Sequence, residues 1–371
     1  MKKIKVMHFV AGLVSGGVEQ MLCNYCTELD KNYNYDFLVV YQHEAISTCR
    51  EKIEDAGCKT KRITSRSENF IKNIVDSYKL IKKEKPDIVH AHMNLMNFCA
   101  LYAAKAAGVK IRISHSHIAE KNRNWCFNIM AFVCKKLCVN SATMLLACGK
   151  EAGEYMYGKR RMEDGNVKIV ENAIDIRRYT ISLEEKKKIR TKKGLNDEFV
   201  VGHVGRFSYQ KNHEQLVDIF YCLKKIKKNA KLLLIGTGEL ENQIKQQVEK
   251  YGIEDSVIFA GTTKNMRDMY ALMDVFVLPS RFEGFPVVSV EVQAARIPSI
   301  FSDSIAPTCK LTDYIDFYSI NESNQNWAKK IISCAEKERN ENLEKLFAKY
   351  DIIENSKYLD ALYNWSLNND K

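Results

Sequence analysis

A chain of 371 residues, 46% hydrophobic and 28% charged, is long enough for two cores and excludes a single small module, a disordered chain or a fibre. Five prolines, no low-complexity tract and no short-period repeat exclude a string of modules, a solenoid and a propeller. Twelve cysteines are too sparse for a disulfide scaffold, and the formal charge of +11 is uneven, with +7 in residues 101–150 alone.

In chain order, residues 5–11 read as a short apolar strand. Gly12, Ser15, Gly16 and Gly17 make a turn after it, and apolar residues then recur at helical spacing over 18–29. Further strands are expected at 35–40, at 88–91 after the Pro86-Asp87 turn, at 110–114 after Gly108, and at 144–147, with helical patterns between them. The first apolar segment has the length of a buried strand and runs into glycines rather than a cleavage site, so the expected compartment is the cytosol. No stretch of about 20 uncharged apolar residues offers a membrane span.

A fresh start is expected near residue 199. Strands at 199–204, 230–235, 256–259, 275–278 and 299–301 alternate with helical patterns such as 216–226, and several end at Gly205, Gly236-Thr237-Gly238, Gly261 and Pro279. Alternation of this kind implies parallel sheets covered on both faces, an α/β architecture. The joint is expected in the polar stretch 171–196, giving domains 1–175 and 176–351. Two doubly wound domains facing each other leave a cleft at the carboxyl ends of their strands, the expected ligand site. Residues 322–367 read as helices, and periodicity leaves open whether the last one, 352–371, stays with the second domain or packs back on the first.

The loop Gly205-Arg206-Phe207-Ser208-Tyr209-Gln210-Lys211 follows a strand. A glycine admits an anion to the backbone, Arg offers a planar fork of donors and Lys a mobile point charge, which together suit phosphate. An ordinary basic loop at a strand end would read the same way. In Ser280-Arg281-Phe282-Glu283-Gly284-Phe285-Pro286, a helix beginning near Pro286 would carry Glu291, with Glu283 on the loop before it. Carboxylates accept hydrogen bonds from vicinal diols, the groups that a ribose or hexose displays.

These segments resemble the retaining glycosyltransferases of family 4, of GT-B fold, in particular those of bacterial exopolysaccharide and capsule assembly. The resemblance spans nearly the whole chain. It includes Ser15-Gly16-Gly17-Val18-Glu19, Asp87-Ile88-Val89-His90-Ala91-His92, Ile113-Ser114-His115-Ser116-His117 and Glu171-Asn172-Ala173-Ile174-Asp175. Gly205, Arg206 and Lys211, then Gly236-Thr237-Gly238-Glu239, then Glu283 with Glu291, continue it.

The resemblance implies transfer of a hexosyl or N-acetylhexosaminyl group, with retention, from a nucleotide diphosphate sugar, a UDP-sugar by prior, to a lipid-linked saccharide. Glu283, His117, Arg206 and Lys211 would be catalytic. The donor would be bound by Gly16, Gly17, Gly205, Arg206, Lys211, Gly238, Glu239, Phe285, Pro286, Val287 and Glu291, with Glu291 on the ribose and Glu283 on the sugar. His115 and His92 would line the acceptor side. No cofactor and no metal are expected, since no Asp-x-Asp pair occurs and the two cations would neutralise the departing diphosphate. Val292, Arg296 and Thr308-Cys309 depart from the family pattern. The alternatives are a UDP-sugar epimerase of the same architecture and a silent subunit that binds nucleotide sugar.

Two features remain. Cys23-Asn24-Tyr25-Cys26 has redox or zinc spacing, yet lies in the first amphipathic helix, where packing is the expected role. The segment 125–139, with Lys121, Arg123, Lys135 and Lys136 around it, fits either a helix on the first sheet or one in a membrane interface. The surplus of positive charge favours an anionic membrane surface or a phosphate-bearing substrate. Nucleic acid is not expected, because no zinc-finger, RNP-like or aromatic-basic pattern occurs. The expected place is therefore peripheral, on the inner face of the cell membrane.

Overall fold

The computed structural model describes residues 3–13, 16–43, 47–118, 125–263, 265–283, 285–339 and 342–369. It divides into two compact units, one of residues 1–173 with 352–371 and one of residues 174–351. The chain thus enters the second unit within the stretch 171–196, two residues before the expected boundary at 175, and its last helix belongs to the first. Ser15, Lys121, Arg123 and Gly284 lie outside the described residues.

The first unit holds a parallel sheet of β1 (Ile4–Phe9), β2 (Tyr35–Tyr41), β3 (Lys59–Arg62), β4 (Ile88–Ala91), β5 (Ile111–Ser116), β6 (Met144–Ala147) and β7 (Val167–Ile169), in the order β3-β2-β1-β4-β5-β6-β7. Alternation along each strand feeds two cores. Val6, Ile88, Ile111 and Ile113 pack on one face with Leu22 and Leu29 of helix Gly17–Asn32 and with Leu359 and Tyr363 of helix Ile352–Asn369. Met7, Phe9, Val89 and Ala91 pack on the other face, against helices Phe70–Glu84 and Asn97–Ala106.

The second unit repeats the plan with β8 (Phe199–Val204), β9 (Ala230–Ile235), β10 (Val257–Gly261), β11 (Val275–Leu278), β12 (Ser299–Ser302) and β13 (Ile315–Tyr318), in the order β10-β9-β8-β11-β12-β13. In each sheet the order in which strands are added reverses between its first strand and the strand three further on in the chain, and in this class the loops at that point carry the ligand. At residues 350 and 351 the chain runs beside its own earlier passage. The Ile174 N–H donates to the Tyr350 carbonyl at 3.0 Å, and Arg177 pairs with buried Asp351 at 2.9 Å.

Local signals explain the helix limits. Asn69 accepts from the Lys72 N–H at 2.9 Å to open one helix, and Lys85 closes it in a left-handed turn ahead of Pro86. Ser182 and Glu185 form a reciprocal cap at the start of helix Leu183–Lys192.

Candidate functional site

In the second unit, three loops at the carboxyl ends of β8, β9 and β11 are sewn together. Phe207 N–H donates to Thr237 O at 3.2 Å, and Leu240 N–H donates to Phe207 O at 3.0 Å. Gly236 has φ +138°, and a side chain there would strike the Gly205 carbonyl, while a Cβ on Gly238 would lie 2.5 Å from the Phe207 carbonyl. These glycines are what allow backbone to lie on backbone. Arg281 N–H donates to Gln210 O at 2.8 Å, and the Asn212 amide donates to Pro279 O at 3.0 Å, so the loop after β8 is held against the loop after β11.

That junction joins Lys211 to Glu283. Lys211 Nζ lies 2.5 Å from Glu283 Oε1, which also accepts from the Ser280 hydroxyl at 2.7 Å. Their side chains are 16% and 8% exposed, so the pair is largely desolvated and firmly placed. Gly205 makes room for it: a Cβ there would sit 3.0 Å from Lys211 Cδ. Arg206 is separate from this pair, half-exposed, with Nε donating to Glu239 Oε2 at 3.0 Å.

Glu291 lies inside helix Val287–Ala294, which opens directly after Pro286. Its carboxylate is buried and accepts from the Tyr179 hydroxyl at 3.1 Å and the Tyr270 hydroxyl at 2.6 Å. Burial together with the adjacent carboxylate pushes both phenols well above the usual tyrosine range, so they stay donors. Phe285 stacks on Tyr350 with ring centroids 5.1 Å apart, ahead of the helix start at Val287. Tyr179, Tyr270 and Ser280, which orient these carboxylates, carry no spacing signal that would have marked them in the sequence.

In the first unit, Gly16 caps helix Gly17–Asn32, and five histidines occupy the carboxyl ends of three adjacent strands. Along β1, β4 and β5 and just beyond, His8, His90, His92, His115 and His117 continue the face that buries Val6, Ile88 and Ile113. His8 Nδ1 is 3.0 Å from His92 Nε2, and His92 Nδ1 is 2.9 Å from His117 Nε2. His90 Nδ1 is 2.8 Å from the Tyr363 hydroxyl and His90 Nε2 is 3.2 Å from His115 Nδ1. His115 and His92, expected on the acceptor side, are 0% and 4% exposed. They stand behind His117 rather than at a surface, because the strand ends are roofed by helices Gly17–Asn32 and Ile352–Asn369. His8 was missed, though its place opposite His90 in the β1–β4 register is the signal that would have found it.

Burial holds every one of these rings neutral, lowering His8 and His117 to about 3 and His90, His92 and His115 well below the usual value. Two triplets, His8-His90-His92 and His92-His115-His117, keep ligand nitrogens within 4.8 Å of one another, and in each of them one pair, His8–His92 or His92–His117, shares a hydrogen bond. Cys23 and Cys26 lie in helix Gly17–Asn32, where burial pushes Cys23 up to about 12 and a hydrogen bond with Cys58 together with burial pushes Cys26 well above its usual value, leaving protonated packing thiols.

Helix Trp125–Ser141 buries a narrow stripe, Ala131, Cys134, Cys138 and Ser141, and exposes Trp125, Ile129, Met130, Phe132, Val133 and Leu137. Tyr102 on helix Asn97–Ala106 and Phe70, Ile71 and Val75 on helix Phe70–Glu84 extend the exposed apolar surface across neighbouring helices. Lys135 and Lys136 lie over the Tyr155 and Phe132 rings at 3.6 and 4.5 Å. No helix among the described residues is long and apolar enough to cross a membrane.

Comparison with known proteins adds the following. A family model described as Glycosyltransferase Family 4 matches residues 15–178, and one described as Glycosyl transferases group 1 matches residues 185–359. The chain is 30% identical to the putative glycosyltransferase EpsF of Bacillus subtilis over 99% of its length and 98% of that protein. It is 24% identical, over 67% of its length and 66% of the relative, to the UDP-Gal:alpha-D-GlcNAc-diphosphoundecaprenol alpha-1,3-galactosyltransferase of Escherichia coli. Its fold matches that of Anabaena HepE in complex with UDP-glucose with a TM-score of 0.77 at 18% identity, covering 97% of this chain and 99% of that one.

Proposed function

The chain belongs to the family 4 glycosyltransferases of GT-B fold, and from that premise we propose that it moves a hexosyl or N-acetylhexosaminyl group from a UDP-sugar to a lipid-linked saccharide in exopolysaccharide or capsule assembly, with retention of configuration. The observation that carries this reading is the largely desolvated Lys211–Glu283 pair under Gly205. As the glycosidic bond breaks, negative charge grows on the diphosphate, and an ammonium already fixed in place stabilises that charge without reorganising. Glu283 holds the ammonium and faces a sugar hydroxyl, Glu291 receives the ribose diol, and Arg206, tethered only at the surface, closes on the phosphates. No metal is needed for this division of labour. The acceptor class is carried over from what the Escherichia coli relative's name states.

A panel of nucleotide sugars tests the donor. The right one at 100 times its Kd is expected to stabilise the protein by about 2.7 kcal/mol, read as a thermal shift. UDP release is then expected only with GlcNAc-diphosphoundecaprenol or a longer lipid-linked acceptor present, and at the same rate in EDTA. Loss of activity in EDTA would assign the charge to a metal, conversion of donor alone would make the protein an epimerase, and donor binding without turnover on any acceptor would make it a silent subunit.

We also place the protein peripherally on the inner face of the membrane, through the apolar face of helix Trp125–Ser141 and its basic neighbours, a surface suited to a lipid-linked substrate. Full-length protein is expected to sediment with anionic vesicles at low salt, and Phe132→Ser with Val133→Ser to lose most of that binding while keeping the thermal shift with donor. Equal sedimentation of the double variant would remove this helix as the contact.

A further inference from the structure

A carbonyl oxygen only accepts hydrogen bonds, so an imidazole nitrogen bonded to one must carry the proton. His203, near the end of β8 and 0% exposed, has Nδ1 2.8 Å from the Val277 carbonyl of β11. Its proton is therefore on Nδ1 however the rest of the site is arranged. Burial, with the Lys211 ammonium nearby, lowers this ring to about 3, so it is neutral and its Nε2 is a bare lone pair. The histidines of the first unit bond chiefly to one another and leave their tautomers open, whereas His203 has one tautomer only.

That lone pair is buried and has no hydrogen-bond partner among the described residues. Two polar side chains stand near it. The ring of His213 lies at 78° to that of His203 with centroids 4.6 Å apart, but it is stacked on Phe207 at 4.1 Å and neither of its nitrogens bonds to His203. The other side chain is Lys211. A Cβ on Gly205 would lie 3.1 Å from His203 Nε2, and 3.0 and 3.1 Å from Lys211 Cδ and Cε, so the lone pair and the lysine stem border the same small space over the glycine. The ammonium has three N–H groups, and Glu283 Oε1 is the one acceptor it meets among the described residues. A lone pair in this position repels a phosphate oxygen and attracts a cationic donor.

We propose that His203 is a positioning residue for Lys211: its Nε2 accepts a second N–H of the ammonium when a diphosphate engages the third, so that Glu283 and His203 together aim Lys211 at a phosphate oxygen. Two fixed acceptors leave a tetrahedral ammonium no freedom to turn, and the cation then meets the growing charge without reorganising. Val277 supplies the last link, because its carbonyl keeps the proton of His203 on the nitrogen away from Lys211. This rests on the reading of Lys211 as the cation that faces the departing diphosphate.

The test is two-bond nitrogen–proton NMR of the full chain with 15N-labelled histidine, with UDP as the probe and His203 assigned by loss of its signals in His203→Gln. His203 is expected as the Nδ1–H form throughout, and saturating UDP should move its Nε2 line upfield, as accepting a hydrogen bond does. In Lys211→Met with Glu283→Gln, saturated with UDP as judged by the thermal shift, that move should be absent. The same move in the double variant would give the bond to another donor, His213 foremost, and overturn the proposal. Turnover supplies a second readout. His203→Phe is expected to lower kcat about tenfold, the scale of one hydrogen bond to a charged group, with little change in the KM for donor. His203→Gln, which places an amide oxygen near the Nε2 position, should recover most of that loss, and equal losses in the two variants would make His203 a packing residue only. Should His203→Phe fail to fold, the wild-type line and the double variant decide. Absence of any thermal shift with UDP removes the donor reading and this proposal with it, while a thermal shift with an unmoved Nε2 line removes this proposal alone.

Discussion

Lys211→Ala is expected to lower kcat by about a hundredfold or more, the scale on which removal of one fixed transition-state donor acts, with a smaller loss in donor affinity. On the proposed reading the ammonium meets charge that develops only as the bond breaks, so the effect falls on turnover. Among the described residues the substitution leaves the Glu283 carboxylate, largely buried, with only the Ser280 hydroxyl, and an orphaned buried charge destabilises by about 3–5 kcal/mol. A double variant separates the two effects. Lys211→Met with Glu283→Gln removes both charges and should recover most of the thermal stability, but none of the turnover. Recovery of turnover with stability would mean that the pair is only a structural tie. Arg206→Ala, at a half-exposed side chain paired with Glu239, should cost turnover less and leave stability unchanged.

Acid should unfold the first unit before the second. A histidine near 6.5 when unfolded and near 3 when folded takes up its proton only in the unfolded chain between those values, so its neutral burial contributes stability that is present above about pH 6.5 and is lost progressively toward pH 3. At pH 5.5 one such group has lost on the order of 1.4 kcal/mol, and His90, His92 and His115, lowered in the same direction, add to that loss. The second unit holds only two histidines of this kind, His203 lowered to about 3 and His213 to about 2. Hydrogen exchange followed by mass spectrometry from pH 7.5 to pH 5 should show peptides of β1, β4 and β5 losing protection first. Simultaneous loss in both units, or protection of β4 that persists at pH 5, would show that the cluster is protonated in the folded protein.

The interior strands were legible because most of their residues are apolar and each run ends at a Gly or Pro: Phe199–Val204, Ala230–Ile235 and Val275–Leu278 fall where the pattern puts them. Three strands were not. β3 reads Lys-Thr-Lys-Arg, since at a sheet edge most of its side chains face solvent and no apolar alternation is required. β7 has three residues, and β13, Ile-Asp-Phe-Tyr, interrupts its apolar run with Asp316, which pairs with Lys337 at 3.0 Å. At the candidate site, Lys211 and Glu283 were visible as residue types, but their direct pairing depends on loops 72 residues apart being bonded through Gln210, Arg281 and Asn212. The histidines were visible as two His-x-His pairs. That they form rows extending to His8 and Tyr363 required the strand order, which places β1 between β2 and β4 and brings the last helix over all three.

The assignment of helix Ile352–Asn369 to the first unit has a consequence for biosynthesis. On the ribosome the strands of that unit emerge early, yet Leu359 and Tyr363 complete its hydrophobic face only after residues 174–351 have been translated. At about 5–20 residues per second the delay is on the order of 10 to 40 s. The half of the molecule made first is thus the half finished last, and during that interval an incomplete nascent sheet, with the imidazole of His90 still lacking its tyrosine, is what chaperones would meet.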